Sequence, residues 1–121
     1  MSSCEKKLLI VDDEIGLRSL LKSIFEMDYD VYLCEDGDLA ISTIEKEKID
    51  VAILDMRLKN MDGLEILENI RKIDQNIKVL ILTAFTDPRK IDKLYELNIE
   101  EIVQKPFDIF ELKGKVDKVV N

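Results

Sequence analysis

The sequence predicts an α/β fold in which five strands and five helices form a doubly wound parallel sheet. Three apolar runs, at residues 8–11, 51–54 and 79–82, are uninterrupted, as expected for strands that are buried on both faces. Between them apolar residues recur at helical spacing, so that strands alternate with helices through the whole chain. Short connections and right-handed crossovers leave few topologies for this alternation, and we expect the strand order 2-1-3-4-5.

The first half of the chain contains two helices and a second strand between the first two apolar runs. A helix is predicted at residues 14–26, where acidic residues at its start suit the positive end of the helix dipole. Residues 28–30 break this helix, and residues 31–34 form the second strand. An Asp-Gly turn at residues 36–37 leads into the second helix, which runs to about residue 48. The apolar faces of the two helices carry Leu17, Leu20, Leu21, Ile24 and Phe25, and then Leu39, Ala40, Ile41 and Ile44.

The second half repeats the alternation. A loop at residues 57–63 precedes the third helix, and Asp87 and Pro88 supply a cap and a first turn for the fourth. Residues 101–104 have the mixed polarity of an edge strand, and the last helix begins near Asp108. The residues predicted to face the core from these helices are Leu64, Leu67 and Ile70, then Ile91, Leu94 and Tyr95, and finally Ile109, Leu112, Val116 and Val119.

Composition limits the classes of function. The 121 residues fit one domain, residues 1–121, and the net charge of −8 argues against direct nucleic-acid binding, which depends on Lys and Arg. The absence of histidine excludes imidazole zinc sites and histidine catalysis. Cys4 and Cys34 form no metal-ligand pattern, and we expect reduced, incidental thiols. No targeting or membrane-spanning segment is recognisable, so we expect a cytoplasmic protein without a membrane partner.

Chemically reactive side chains stand where the predicted strands end. Asp12 and Asp13 follow the first strand, Asp55 the third, Thr83 the fourth and Lys105 the fifth. Taken singly, each is more often a helix cap, a turn hydroxyl or a surface charge. Parallel strands point the same way, however, and the first and third are neighbours in the order 2-1-3-4-5. The joint placement therefore indicates one site at one edge of the sheet.

The charges of this site call for a divalent cation. Two carboxylates about 4 Å apart cost on the order of 4 kcal/mol at an effective dielectric near 20, and Lys105 alone does not offset three of them. Oxygen ligands without His or Cys favour Mg²⁺, or Mn²⁺, over zinc. A metal ion, a lysine and a hydroxyl around one carboxylate can hold a transferring phosphoryl group. Asp55 is therefore predicted to be a nucleophile that forms an aspartyl phosphate.

As a set, these motifs resemble the receiver domain of two-component response regulators over nearly the whole chain. The segments that carry the resemblance are residues 9–14, 54–58, 61–63, 83–84 and 105–107. It implies the flavodoxin-like receiver fold. It also implies that Asp55 accepts its phosphoryl group from a phosphohistidine on a sensor histidine kinase or a histidine phosphotransferase.

The resemblance also assigns the metal ligands. Asp13, Asp55 and the backbone carbonyl of Arg57 would hold Mg²⁺, with Asp12 assisting largely through water. Arg57 also bears on an alternative, a small aspartyl-phosphate phosphatase. That enzyme would need a second carboxylate at this position, two residues after the nucleophile. Because Arg57 stands there instead, the sequence argues against the phosphatase.

The remaining roles that the resemblance implies lie on the last two strands. Thr83 and Lys105 would bind phosphoryl oxygens, and the peptide bond between Lys105 and Pro106 would be cis. Thr83 and Ile102 occupy the switch positions. An aromatic residue usually stands at the place of Ile102 and swings inward on activation, so its absence favours a carrier over an output switch.

Within the family, the sequence most resembles single-domain regulators of the sporulation phosphorelay. We therefore predict a stand-alone carrier that is a monomer or weak dimer. Such a carrier catalyses its own phosphorylation and dephosphorylation and is not a conventional multiple-turnover enzyme. The alternative is a receiver domain excised from a longer DNA-binding or sigma-factor-dependent transcriptional regulator.

A carrier would dock on a helical bundle that bears the donor histidine. The residues flanking the predicted site edge are Ile15, Gly16, Leu17, Leu20, Pro106 and Phe107. Some of them are candidate contacts, although core positions explain the spacing of Leu17 and Leu20 more simply.

Overall fold

Five parallel strands alternate with five helices in the computed structural model, which describes residues 5–56, 62–84 and 88–120. The strands are β1 (Lys6–Val11), β2 (Tyr29–Cys34), β3 (Val51–Asp55), β4 (Lys78–Thr83) and β5 (Glu101–Gln104). The helices are α1 (Ile15–Phe25), α2 (Gly37–Lys46), α3 (Gly63–Ile73), α4 (Pro88–Glu96) and α5 (Ile109–Val120). The strands pair in the order β2-β1-β3-β4-β5, so the predicted fold class and strand order are confirmed.

Two apolar clusters, one on each face of the sheet, form the core. Helices α1 and α5 cover one face, and α2, α3 and α4 cover the other. All residues of β3 are buried because both of its faces are covered, as expected for a central parallel strand. Val103 is the one buried residue of β5, which agrees with the predicted place of this strand at the edge.

Strands β1 and β2 each begin two residues earlier than the apolar runs predicted. Lys6 pairs with Tyr29, and Lys7 with Asp30, before the apolar pairs begin. Backbone hydrogen bonds in a ladder do not depend on side-chain polarity, so polar residues extend the strands beyond the part that hydropathy detects.

Three apolar residues that we assigned to helix faces turn outward. Leu20, Leu39 and Tyr95 expose 49%, 46% and 51% of their surfaces, so the prediction that they line the core is wrong. Successive helical residues point about 100° apart. The neighbouring Leu21 and Leu94 therefore take the core-facing positions on α1 and α4.

Arg71 of α3 joins the connections at the amino edge of the sheet. Its Nε donates to the backbone oxygen of Leu97 at 2.7 Å, and its Nη2 to that of Asn98 at 2.9 Å. Its Nη1 donates to the backbone oxygens of Ile77 at 2.9 Å and Asp74 at 3.3 Å. Burial lowers the pKa of Arg71, but it still satisfies carbonyl groups of two connections at once.

A second polar network ties the start of β2 to α5. The hydroxyl of Tyr29 donates to Asp117 Oδ1 at 2.6 Å, and Lys113 Nζ lies 2.9 Å from Asp117 Oδ2 and 2.7 Å from Asp28 Oδ2. Burial, together with the Asp117 carboxylate, raises the pKa of Tyr29. The Tyr29 ring also meets Phe25 edge to face, with centroids 5.7 Å apart.

Local features of the motifs are also visible. The bond between Lys105 and Pro106 is cis, as the family resemblance implied, and α4 begins at Pro88. Cys34 is a buried free thiol, whereas Cys4, Arg57 and the predicted cap Asp87 lie outside the described residues. Across the described ranges, the helices are too short or too polar to cross a membrane.

Candidate functional site

The register between β1 and β3 brings Asp12 and Asp55 to the same level of the sheet. Val11 pairs with Leu54, so Asp12 and Asp55, the residues that follow them, stand side by side at the carboxyl edge. The backbone N–H of Asp12 donates to the oxygen of Cys34 at 3.1 Å and carries the ladder one step beyond β1. Both carboxylates are buried, with 1% of Asp12 and 3% of Asp55 exposed.

Strands β4 and β5 bring a hydroxyl and an ammonium group to the same edge. Thr83 is buried at the end of β4 and pairs with Gln104, and the N–H of Lys105 donates to the oxygen of Thr83 at 2.8 Å. From there the Lys105 side chain reaches back past β4, and its Nζ lies 2.5 Å from Asp55 Oδ2. This charge-assisted contact joins strands that are not neighbours, and the Lys105 side chain remains 26% exposed.

Asp12 holds a buried carboxylate oxygen without a hydrogen-bond donor. Its Oδ1 accepts from the N–H of Glu14 at 2.7 Å, but its buried Oδ2 has no partner among the described residues. Burial raises the pKa of Asp12 to about 7, and the nearby Asp55 carboxylate raises it further, whereas the Glu14 N–H and Lys105 oppose the rise. Near neutral pH, this oxygen therefore needs a proton or a cation.

Part of the predicted metal site lies among the described residues. A buried oxygen without a donor, beside a second carboxylate, suits a hard cation such as Mg²⁺. Asp13 is half-buried in the same connection, and the Arg57 carbonyl lies outside the described residues. In the described ranges, no three acidic, cysteine or histidine side chains form a ready metal cage. Magnesium usually keeps several waters and uses one or two carboxylates, so it does not require such a cage.

The sequence matches the model of the response regulator receiver domain over residues 8–117. The chain belongs to this family. The receiver domain is 40% identical over 114 residues to sporulation initiation phosphotransferase F of Bacillus subtilis (strain 168), covering 93% of this chain and 92% of that protein. It is 34% identical to the alkaline phosphatase synthesis transcriptional regulatory protein PhoP of the same organism, covering 95% of this chain but only 48% of that protein.

Solved structures confirm the receiver fold. The non-phosphorylated HemR receiver domain from Leptospira biflexa superposes with a TM-score of 0.91 at 28% identity, covering 97% of this chain and 95% of that one. The CheY-like receiver domain protein from Methanospirillum hungatei JF-1 also gives a TM-score of 0.91, at 25% identity, covering 96% of this chain and 94% of that one.

An open apolar groove of about 530 Å³ lies beside the site of the receiver domain. Of the predicted docking residues, Leu17, Leu20, Pro106 and Phe107 line it, together with Glu14, Ala84, Lys105 and Ile109. The other two, Ile15 and Gly16, are exposed at the start of α1 but do not line the groove. Leu17 and Phe107 are half-buried and also pack against the core, so they have both roles.

The two predicted switch positions, Thr83 and Ile102, differ in how deeply they are buried. Thr83 is buried at the site, whereas Ile102 is half-buried on β5 and packs against the cluster beneath α2, α3 and α4. Ile102 therefore packs against the core on that face, and its apolar side chain has no group that could bind a phosphoryl oxygen.

Sequence reasoning gave Gly63 no physical role. A Cβ atom on Gly63 would lie 2.7 Å from both the Cα and the Sδ of Met56, the residue directly after Asp55. The N–H of Gly63 also donates to the oxygen of Met56 at 3.2 Å. The start of α3 thus rests on the backbone of the residue after Asp55, and only glycine allows that approach. Asp62, which caps α3 in the structure, stands directly before Gly63, and this Asp-Gly pair was visible in the sequence, but the contact with Met56 could not be read from it.

Proposed function

We propose that this receiver domain accepts a phosphoryl group on Asp55 from a phosphohistidine, in an Mg²⁺-dependent reaction, and passes it on as a phosphorelay carrier. The observation that carries the proposal is the buried Asp55 carboxylate with Lys105 Nζ 2.5 Å away, beside Asp12 at the carboxyl edge. Membership in the receiver family supplies the reaction type.

The reaction divides among the residues as follows. A carboxylate oxygen of Asp55 attacks the phosphorus, the P–N bond to the donor imidazole breaks, and the electron pair returns to the imidazole nitrogen. The Lys105 ammonium and the Thr83 hydroxyl would bind phosphoryl oxygens as the charge moves onto Asp55; the support is the contact of Lys105 with Asp55 and the burial of Thr83 at the end of β4. A bound Mg²⁺ would supply further charge neutralisation.

We assign the Mg²⁺ ligands to Asp13, Asp55 and the carbonyl of Arg57, with Asp12 acting largely through water. The support is the buried Asp12 Oδ2 without a donor and the excess of carboxylate over ammonium charge at this edge. One lysine cannot neutralise two buried carboxylates, and a third carboxylate follows in the same connection.

A carrier role is favoured over the output stage of a transcriptional regulator. Identity is higher to the phosphotransferase than to the transcriptional regulator PhoP, and the non-aromatic Ile102 removes the usual swinging ring. The partners would be a histidine kinase or histidine phosphotransferase that inserts apolar helix residues into the groove lined by Leu20 and Phe107. We further propose a cytoplasmic monomer or weak dimer without direct nucleic-acid contact.

The acceptor assignment is tested with acetyl phosphate and Mg²⁺, using mass spectrometry of the intact chain. The protein should gain one phosphoryl group, and Asp55→Asn should gain none. Asp62→Asn is the matched control, because Asp62 is an exposed cap of α3 and asparagine caps a helix as well as aspartate does. Phosphorylation that survives in Asp55→Asn would reject the assignment.

The carrier assignment needs a second measurement. Protein phosphorylated on Asp55 should transfer its phosphoryl group to a histidine phosphotransferase, and Leu20→Ser should slow this transfer without slowing phosphorylation by acetyl phosphate. Leu39→Ser is the control, since Leu39 is equally exposed but lies on α2, outside the groove. Equal transfer rates for the two variants would contradict docking through the groove.

A further inference from the structure

Arg18 binds the peptide group that joins Asp12 to Asp13. Its Nη1 donates to the backbone oxygen of Asp12 at 2.7 Å. Arg18 lies in the first turn of α1, and helical side chains lean toward the amino end of their helix. The guanidinium therefore reaches back across the β1–α1 connection to the residue that leaves the sheet.

The other contacts of this connection fix Asp12 but not the peptide that follows it. The N–H of Asp12 is bound to Cys34, and its Oδ1 accepts from the N–H of Glu14. Glu14, the residue before α1, makes no side-chain cap. Because a peptide group is planar, the bond from Arg18 to the Asp12 carbonyl sets the plane from which the Asp13 backbone departs.

We propose that Arg18 is a positioning residue for divalent-cation binding at the Asp12–Asp13 connection. By holding the peptide between the two carboxylates, it presets the direction in which Asp13 leaves the connection, so that both carboxylates meet one hydrated cation. The inference rests on the proposed Mg²⁺ site and adds a residue that contacts neither the cation nor the phosphoryl group.

The charge of Arg18 and its hydrogen bond have opposite effects on the Mg²⁺ affinity. A guanidinium near the site repels a cation, so removing the charge alone would tighten Mg²⁺ binding. Losing the hydrogen bond would loosen the binding, because groups that orient metal ligands contribute to metal affinity. The sign of the change therefore separates positioning from electrostatics. A purely structural role would lower the melting temperature and leave the affinity of the folded protein unchanged.

The test is a titration of the whole chain with Mg²⁺ alone, followed through the amide NMR signals of residues 12–14. Arg18→Gln should weaken Mg²⁺ binding by about 10-fold, the low end of the range for residues that orient metal ligands. Arg18→Lys keeps the charge and should show a smaller loss. Lys22→Gln removes a charge from the next turn of α1, where the side chain is exposed, and should bind like the wild type.

Unchanged or tighter binding in Arg18→Gln would overturn the proposal. If that variant does not fold, Arg18→Lys decides, since any loss in it comes from geometry, and unchanged affinity overturns the inference. A wild-type chain whose residues 12–14 do not respond to Mg²⁺ would instead overturn the proposed Mg²⁺ site, and this inference with it.

Discussion

Two buried carboxylates stand side by side at the edge of the sheet, and they differ in what neutralises them. Asp55 has the Lys105 ammonium at 2.5 Å, whereas Asp12 has one backbone N–H and one oxygen without a donor. In the absence of a metal ion Asp12 therefore takes up a proton near neutral pH. The same chemical group thus has two roles because its surroundings differ.

The first prediction concerns Asp12 in EDTA. Burial raises the pKa of Asp12 from its usual 3.8 to about 7, so the native state binds a proton that the unfolded chain has lost. The free energy of unfolding should fall as the pH rises from about 4 to about 7, by up to roughly 4 kcal/mol, and then level off. Urea unfolding at several pH values measures this slope.

Asp12→Asn is the control, and it should flatten the dependence. Glu47 and Asp117 have lowered pKa values and act in the opposite direction, but their contribution is lost only as the pH falls below about 4. A slope in Asp12→Asn equal to that of the wild type would show that another group is responsible.

The second prediction concerns Gly63. Gly63→Ala should destabilise the domain by about 1–3 kcal/mol, because its methyl group would overlap the backbone and the Sδ of Met56. Gly114→Ala is the matched control, since open space surrounds Gly114 in α5, and it should stabilise the domain by about 0.5–1 kcal/mol. Chemical denaturation measures both. A neutral Gly63→Ala would mean that α3 can shift away from Met56 without cost.

At the level of elements, hydropathy predicted where helices and strands lie better than it predicted their ends and faces. The central strands β3 and β4 were found because both faces are buried. The polar first residues of β1 and β2, by contrast, join the sheet only through backbone pairing. On α4 a periodic pattern could not decide between Leu94 and Tyr95, because the direction of the sheet relative to the helix is a tertiary property.

The contacts of Arg71 show a further limit of sequence reasoning. An arginine on a helix that also carries Lys72 reads as a solvated charge, yet its guanidinium is buried against the connections that enter β4 and β5. Its partners are carbonyl oxygens, which every sequence contains, so no residue pattern marks them in advance.

The third prediction follows from these contacts. Arg71→Lys should lower the free energy of unfolding by about 2–3 kcal/mol. One ammonium group cannot replace the three donor nitrogens of the guanidinium, so buried carbonyl oxygens would lose their donors. Lys72→Ala, at the next and exposed position, should change stability by less than about 0.5 kcal/mol. Similar values for the two variants in urea unfolding would contradict the bridging role of Arg71.

At the level of the whole molecule, the strand order carries most of the function. Residues 12, 55, 83 and 105 come together because parallel strands share a carboxyl edge, and a sequence that reveals the strands therefore reveals the site. The placement of the strands does not predict the protonation of Asp12, the ion pair between Lys105 and Asp55 or the hydrogen bond from Arg18 to the backbone of Asp12. These depend on distances of a few ångströms between side chains that are remote in the chain.

The fourth prediction concerns the stability of the whole domain in Mg²⁺. A cation that binds only the native state should add about 1.4 kcal/mol at ten times its Kd. For a domain of this size that gain raises the Tm by about 5 °C. Asp13→Asn should lose most of this rise, and sodium chloride at equal ionic strength should not produce it. A Tm that does not respond to millimolar Mg²⁺ in calorimetry would contradict the metal site.

The Tyr29–Asp117 contact has a practical consequence for anyone who studies this domain with light. The chain has three tyrosines and no tryptophan, and none of the three stands at the carboxyl end of a strand. Tyr29 is the buried tyrosine. It is the first residue of β2 and contacts α5 at the amino edge of the sheet, whereas Asp55 lies at the carboxyl edge. Its intrinsic emission will follow the detachment of the last helix during unfolding, whereas events at Asp55 will need an introduced fluorophore or a magnetic probe.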